Sequence, residues 1–244
     1  MGYAIRTENL TKRYKDKIAV DRLSLTVEQG ELIALLGVNG AGKTTTVKML
    51  TCLTKPTDGK AEIMGHGIVE DFEEVKRLVG VSPQDTSVAE NLTVKENLQF
   101  MADIYLPKEK AKAAVEKTIK AFSLEEFINK KAKLLSGGYK RKLSIAMAVI
   151  GEPKVLFLDE PTLGLDVLAR RQLWREIDKL KMSMTIILTT HYMEEAQSLA
   201  DRIVIMNEGR VMATGTLEEL ENMTGKKGLE EVFVTMAETE LEGE

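Results

Sequence analysis

Several features that mark secreted, membrane-spanning or nucleic-acid-binding proteins are missing from this chain of 244 residues. Cys52 is the only cysteine, which excludes an intramolecular disulfide. No apolar run approaches the roughly 20 residues that cross a bilayer, and residues 1–6 lack the apolar core of a signal peptide. The formal net charge of −4 disfavours general nucleic-acid binding, which usually shows a basic excess. We therefore expect a cytoplasmic protein, with no nucleic-acid partner, that reaches a membrane only through another subunit.

Short apolar runs alternate with helical patterns along the chain. With 43% hydrophobic and 30% charged residues, the composition is that of an ordinary soluble protein, long enough for one large α/β domain or one domain with an insert. Continuous apolar runs are typical of strands covered on both faces, as in a parallel sheet. The runs comprise residues 32–36, 79–81, 155–158, 185–188 and 203–206.

Other segments alternate apolar and polar residues, which is typical of antiparallel strands at the edge of a sheet. They are residues 3–27, 202–206 and 210–213. Between residues 85 and 133 the strand signals vanish. Helical spacing over residues 94–105 and 108–122 there indicates a helical insert in the α/β core.

Residues 37–44 fit the phosphate-loop pattern G-x-x-x-x-G-K-[ST] and lie between an apolar strand and a helical segment, as that motif requires. Its glycines let backbone N–H groups curl around anionic oxygens, and the helix N-terminus adds positive potential. Lys43 is predicted to reach the β- and γ-phosphates, and Thr44 to offer its hydroxyl to Mg²⁺. The alternative, a glycine-rich turn that fits by chance, is disfavoured by the flanking elements. The predicted nucleotide-binding residues of this loop are Gly37, Asn39, Gly40, Ala41, Gly42, Lys43, Thr44 and Thr45.

An acidic pair, Asp159 and Glu160, follows the apolar run 155–158. That position is the C-terminal tip of a buried strand, where α/β proteins bind their ligands. Asp159 is predicted to hold the magnesium shell, and Glu160 to orient and deprotonate water as a general base. A solvated turn is the alternative, and the nearby phosphate loop disfavours it.

Residues 135–139 read Leu-Ser-Gly-Gly-Tyr. Ser136 can cap a helix that runs to Ile150. The two glycines leave the backbone open to a γ-phosphate at an electropositive helix N-terminus. A capped helix without a ligand is the alternative.

Taken in order, these motifs resemble the ATP-binding cassette (ABC) ATPase family over nearly the whole chain. The elements that carry the resemblance are the phosphate loop, Gln84, residues 135–138, the acidic pair, Asp166 and His191. The resemblance implies an α/β fold, a RecA-like P-loop NTPase core with an antiparallel edge β-subdomain and an inserted α-helical subdomain. It implies an ABC ATPase domain over residues 1–225, with the helical subdomain at about 85–150, and a short C-terminal helix and acidic tail over 226–244. We expect that helix at residues 229–236 and a solvated, frayed tail after it.

The family's roles carry over to matching residues. In the family, the surface matching Ser136, Gly137 and Gly138 closes over ATP held by another protomer, which implies a head-to-tail dimer with two Mg-ATP at its interface. Gln84 is expected to touch Mg²⁺ or water and to relay the nucleotide state to the insert. His191 is expected to contact the γ-phosphate and position water, although a lone histidine at a strand end is usually only a polar residue.

Tyr14 matches the aromatic residue that stacks on adenine in the family, an interaction worth about 1–3 kcal/mol in nucleic-acid complexes; a surface tyrosine is the alternative. Asp166 is expected among the cofactor-binding residues, and Trp174 is expected to pack. Tyr139 and Leu163 depart from the family, which most often has Gln and commonly Ser there. Because neither departure touches the predicted catalytic residues, we expect an active ATPase. Those residues are Glu160, His191, Lys43 and Gln84.

The single cassette and residues 189–196 and 229–233 look like the subfamily that pairs with separate ABC-2-type permeases. That resemblance implies a transport ATPase, more often an exporter, held on the cytoplasmic face of the cell membrane by an integral membrane permease. Its other partner is a second copy of itself or a homologous ABC subunit, and its cofactors are ATP and Mg²⁺. The alternatives are a soluble ABC ATPase acting on ribosomes or DNA, and a nucleotide-gated interaction module without useful catalysis.

Overall fold

Two β-sheets and nine helices make up residues 2–242, the part of the chain that the computed structural model describes. The strands are β1 Tyr3–Tyr14, β2 Lys17–Glu28, β3 Leu32–Leu36, β4 Asp58–Ile63, β5 His66–Gly67, β6 Val79–Ser82, β7 Val155–Asp159, β8 Thr185–Thr190, β9 Arg202–Asn207 and β10 Arg210–Gly215. The helices are α1 Lys43–Leu50, α2 Phe72–Leu78, α3 Val94–Tyr105, α4 Lys108–Ala121, α5 Gly137–Val149, α6 Val167–Lys181, α7 Met193–Leu199, α8 Leu217–Thr224 and α9 Leu229–Glu242.

The larger sheet has six strands in the order β10-β9-β3-β8-β7-β6. All its pairs are parallel except β10 with β9, which forms the predicted antiparallel edge. Every residue of β3, β7 and β8 is buried, as the continuous apolar runs predict. The register places Leu36 beside Thr190 and Asp159 beside Thr189, so three strands end together at one edge of the sheet.

The smaller sheet has four strands in the order β2-β1-β4-β5, all paired antiparallel. Strands β1 and β2 confirm the prediction from the alternating pattern, whereas β4 and β5 were not predicted. Alternate residues of β3 enter different core clusters: Leu32 and Leu36 on one face of the parallel sheet, Ile33 and Leu35 on the other. One cluster includes the helical insert, and the other lies between the two sheets.

The predicted helices of the insert are confirmed as α3 and α4. Thr93 caps α3 through a capping box with Glu96, which satisfies free N–H groups at the helix start. Leu98 of α3 and Val115 of α4 are buried in the same cluster as Leu143 of α5. Among the described residues, no helix is both long and apolar enough to cross a membrane.

Two details of the predicted helices are wrong. Ser136 occupies the N-cap position of α5, but no side-chain capping bond is formed there among the described residues. The C-terminal helix does not end at residue 236 but continues to Glu242, because apolar packing anchors it through Leu229 and Val232 and no Gly or Pro interrupts the residues that follow. The predicted frayed tail is therefore helical up to residue 242, and residues 243–244 lie outside the described residues.

Candidate nucleotide-binding and hydrolysis site

The phosphate loop links β3 to α1 and is held by close backbone contacts. Gly42 is the N-cap of α1 with φ of 100°, and a Cβ there would lie 2.6 Å from the carbonyl oxygen of Ala19. A Cβ on Gly37 would lie 2.4 Å from the carbonyl oxygen of Met206. Both positions therefore need glycine, and the loop N–H groups lie at the positive end of α1.

Lys43 is buried at the base of this loop, with 5% of its surface exposed. Its Nζ donates hydrogen bonds to the carbonyl oxygens of Gly37 at 2.7 Å and Val38 at 3.2 Å. The same Nζ lies 3.5 Å from Oε1 of Glu160. The ammonium group is thus preplaced at the loop, beside the predicted general base.

Asp159 ends β7 and is almost fully buried. Its Oδ1 accepts hydrogen bonds from the hydroxyls of Thr189 at 2.5 Å and Thr44 at 3.2 Å. Hydroxyl and carboxylate oxygens are ligands that Mg²⁺ prefers, and it usually takes only one or two carboxylates besides substrate phosphates. The donor set therefore fits Mg²⁺.

Glu160 follows β7 in a left-handed conformation with φ of 50°, which is uncommon outside glycine and concentrates at functional sites. Its N–H donates to the Thr189 hydroxyl at 3.0 Å, and its buried carboxylate Oε2 lies 2.7 Å from Nδ1 of His191. The hydroxyl of Thr189 therefore links both acidic residues to β8.

His191 follows β8 and packs in a stack of three side chains. Its ring centroid lies 4.1 Å from that of Tyr192, and the guanidinium of Arg170 lies 4.5 Å from the Tyr192 centroid. The stack and the bond to Glu160 restrain the imidazole at the edge of the cleft.

One cleft brings together most predicted site residues, and Leu163 also lines it. Gly37 and Asp159 adjoin the cleft through their contacts with Lys43 and Thr44. Tyr14 lies at the rim, 46% exposed, with Nζ of Lys12 5.0 Å from its ring. The predicted residues that line the cleft are Tyr14, Asn39, Gly40, Ala41, Gly42, Lys43, Thr44, Thr45, Gln84, Glu160 and His191.

The remaining predicted residues, Ser136, Gly137, Gly138 and Asp166, line a second groove. Among the described residues, the cleft and this groove share no lining residue. Oδ1 of Asp166 caps α6 by accepting two backbone N–H groups at 2.9 Å. Within one chain the phosphate loop and the glycine-rich helix start therefore line different pockets, which adjoin along the chain at Leu163 and Gly164.

Tyr139, which departs from the family, belongs to the helical insert as much as to the groove. Its ring centroid lies 4.2 Å from that of Phe127, and Nζ of Lys142 lies 5.5 Å from the Tyr139 centroid. This packing fixes the ring. Where the family most often has the amide of a glutamine, this chain therefore has an aromatic side chain anchored to the insert.

Sequence patterns missed three residues that support the site: Thr189, Arg141 and Glu195. Glu195 lies in α7, fully buried, and accepts a hydrogen bond at 2.9 Å from Nε1 of Trp174. Burial raises the pKa of the Glu195 carboxyl, and the negative charge of Glu160 raises it further, although hydrogen bonds including that from Trp174 lower it in part. A charged residue in an amphipathic helix gives no pattern that reveals such burial.

We expect Glu195→Gln to change how stability depends on pH. Because the folded protein raises the pKa of this carboxyl, its protonated form favours the fold below about pH 4.3, the ordinary value. That contribution is lost as pH rises through the folded pKa. Glutamine mimics the protonated form, so the variant should gain stability over the wild type, on the order of 1 kcal/mol, as pH rises above the ordinary pKa of the carboxyl.

Urea unfolding followed by circular dichroism at several pH values measures this difference. Glu194→Gln is the matched control, because that neighbouring side chain is 64% exposed and should leave the pH dependence unchanged. Parallel pH profiles for Glu195→Gln and the wild type would contradict the burial argument.

A parallel sheet with a phosphate loop, a magnesium-type carboxylate and an adjacent buried glutamate defines a P-loop nucleoside triphosphatase. A family model described as "ABC transporter" matches residues 20–163, which is more than half of the chain. The chain belongs to this family, and it is an ATP-binding ATPase of the ABC type.

Curated relatives differ greatly in length from this chain. The daunorubicin resistance ATP-binding protein DrrA3 of Streptomyces coeruleorubidus is 40% identical over 224 residues, covering 91% of this chain and 71% of that protein. The phospholipid-transporting ATPase ABCA3 of Homo sapiens is 42% identical over 217 residues, covering 87% of this chain but 13% of that protein. The chain thus spans only a small part of the ABCA-type relatives it matches.

A solved structure of the ATP-binding cassette MJ0796, a dimer in a post-hydrolysis state with ADP and Pi, superimposes with a TM-score of 0.79. It is 27% identical and covers 87% of this chain and 98% of that one. The likeness confirms the predicted fold class.

Proposed function

We propose that the chain is the ATP-hydrolysing subunit of an exporter: two protomers pair head to tail around two Mg-ATP and drive a separate membrane permease. The dimer is supported by the observation that the phosphate cleft and the Ser136 groove are different pockets of one chain, with no lining residue in common among the described residues. A two-fold pairing presents each groove to the other protomer's cleft, since such an interface uses the same surface on both partners.

The surface around the groove suits such an interface. Ser136 and Gly137 are exposed at the start of α5, a 13-residue helix whose positive end is available to an anion. Beside them on α6, the apolar side chains of Val167 and Leu168 are 62% and 75% exposed. Exposed apolar side chains flanking an anion site favour burial by another protein. The dimeric state of the related MJ0796 cassette supports the same arrangement.

Hydrolysis then follows from Lys43 and Glu160, which are both buried, together with His191 at the partly exposed edge of the cleft. Lys43 exchanges its loop carbonyls for phosphate oxygens and offsets their charge. Glu160 accepts a proton from the water whose oxygen bonds to the γ-phosphorus, while the bond between that phosphorus and the β–γ bridging oxygen breaks and ADP and phosphate are released. His191 holds the Glu160 carboxylate in place and contacts the phosphate. Thr44, Asp159 and Gln84 would hold Mg²⁺, which would neutralise charge on the phosphates. Tyr14 stacks on the adenine at the rim.

A groove between the α/β core and the helical insert, lined mainly by apolar side chains with Lys76 and Arg77 beside them, suits the permease. It lies between α2, β6, α3 and α5 and is lined in part by Leu53, Met101 and Tyr105. Leu53 is 67% exposed and Tyr105 is 48% exposed. An amphipathic helix from a membrane subunit can bury its apolar face in such a groove. The names of the relatives, a daunorubicin resistance protein and a phospholipid-transporting ATPase, support export of a drug or lipid.

Leu53→Glu tests this role. Because it removes an apolar contact surface and replaces it with a hydrated carboxylate, we expect it to lower the fraction of tagged chain that remains on washed membranes about tenfold, which corresponds to about 1.4 kcal/mol of binding. ATPase activity of the purified variant should stay at the wild-type level. Met182→Glu is the control, because Met182 is 90% exposed and lies outside the groove. A wild-type chain that stays off membranes, or a variant that partitions like the wild type, would contradict the permease assignment.

A further inference from the structure

Arg141 is a buried cation that the nucleotide motifs do not explain. It lies in the second turn of α5, with only 4% of its surface exposed. Its Nη1 donates to the carbonyl oxygen of Pro83 at 2.6 Å, and its Nη2 donates to that of Gln84 at 2.5 Å. One guanidinium therefore holds two successive carbonyl groups of the loop that carries Gln84.

Moving a guanidinium from water into the protein interior costs desolvation free energy, which its hydrogen bonds and the nearby carboxylates must offset. Burial lowers the pKa of Arg141, whereas the charges of Asp85, Asp159 and Glu195 raise it. The planar group offers donors in a rigid fork that a lysine cannot reproduce. Because both bonds go to the main chain, they fix the path of the loop whatever its side chains do.

The two hydrogen bonds of Arg141 connect the phosphate cleft with the Ser136 groove within one chain. Gln84 lines the cleft with the phosphate loop, whereas Ser136, at the start of the same helix as Arg141, lines the separate groove. A buried hydrogen bond of 3.0 Å between the hydroxyls of Ser82 and Ser144 ties the end of β6, just before that loop, to the same helix one turn further on. Because α5 is bonded to this segment at both points, a shift of its N-terminus is transmitted to Gln84.

We propose that Arg141 is a positioning residue that couples the two ATP sites of the dimer. This inference rests on the proposed head-to-tail pairing, in which Ser136 serves the partner's nucleotide and Gln84 serves the chain's own. Docking of the groove on one nucleotide moves α5, and Arg141 carries that movement to the loop at the other nucleotide. Hydrolysis at one site thereby depends on occupancy of the other.

The test measures the Hill coefficient of ATP hydrolysis in Arg141→Met, with Arg141→Lys as a conservative variant. We expect clear cooperativity in the wild type, with a Hill coefficient approaching 2, the number of sites. Arg141→Met should lower the coefficient to about 1 and kcat by about tenfold, within the usual range of coupling, while ATP affinity of the monomer is unchanged. Arg141→Lys should give an intermediate coefficient, because an ammonium keeps the charge and can donate hydrogen bonds but lacks the planar fork that fixes both carbonyl groups.

Lys117→Met is the control, since Lys117 is an exposed cation of the same insert, paired with Glu152 at 3.4 Å. It should keep the wild-type coefficient. A loss of folded protein lowers the apparent kcat but not the coefficient, and the lysine variant keeps a charge to satisfy the carbonyls. A cooperative wild type with unchanged coefficients in both Arg141 variants would overturn the coupling. A wild type that hydrolyses ATP as a monomer would instead overturn the proposed pairing.

Discussion

Glu160→Gln lowers kcat for ATP hydrolysis by about 10²–10⁴-fold, the usual contribution of a general base. Glutamine keeps the size of the side chain but cannot accept the proton of the attacking water. It also removes the negative charge that lies 3.5 Å from Nζ of Lys43 and 2.7 Å from Nδ1 of His191. ATP binding persists because the phosphate loop is untouched. Unhydrolysed ATP therefore accumulates at the interface, and the variant becomes a stable dimer.

Phosphate release and size-exclusion chromatography with ATP and Mg²⁺ measure the two effects. Glu152→Gln is the control: that side chain is 72% exposed and should leave turnover and oligomeric state unchanged. Turnover of Glu160→Gln close to that of the wild type, far from the loss of about 10²-fold or more expected for a general base, would show that Glu160 is not the base.

Ser136→Arg weakens ATP-dependent dimerisation by about 100-fold, or about 2.7 kcal/mol. Ser136 is exposed at the N-cap of α5, so arginine does not disturb the core of its own chain. It instead fills the groove that receives the partner's nucleotide. The Kd of the monomer for ATP should stay within about twofold, because no groove residue lines the phosphate cleft among the described residues.

Dimerisation is best measured in the Glu160→Gln background, by light scattering with ATP and Mg²⁺. Ser183→Arg makes the same chemical change at an exposed position just before β8, at the opposite end of the sheet from the site, and should leave the dimer intact. If Ser136→Arg still dimerises with ATP, the groove is not part of a shared site.

Patterns within short segments of the sequence predicted the buried parallel strands and the phosphate loop. Strands β3, β7 and β8 are buried on both faces, so their apolar runs have no alternation and point to a parallel sheet. The phosphate loop was predictable because its glycines are needed for backbone contact, as Gly37 and Gly42 demonstrate. From these, the position of the cleft followed, since parallel strands end at one edge.

Contacts between distant segments could not be predicted in this way. Thr189 links Asp159 and Glu160 through its hydroxyl, yet in the sequence it is one threonine of a buried strand. Arg141 is one of several cations in a helix, and only the packing of α5 against the loop at Pro83 reveals its role. The capping bond expected of Ser136 is absent among the described residues for a related reason. The sequence predicts which residue occupies the N-cap position, but not the direction in which its hydroxyl points.

Cross-linking between protomers shows whether each cleft is completed by the other protomer's groove. Two proteins are prepared in a Cys52→Ser, Glu160→Gln background, one with Asn39→Cys in the phosphate loop and one with Ser136→Cys in the groove. After mixing with ATP, Mg²⁺ and a short bifunctional thiol reagent, we expect a covalent dimer from the mixture, and none from either protein alone or without ATP. A mixture that stays monomeric with ATP, or a dimer that forms as readily from either protein alone, would contradict the head-to-tail site.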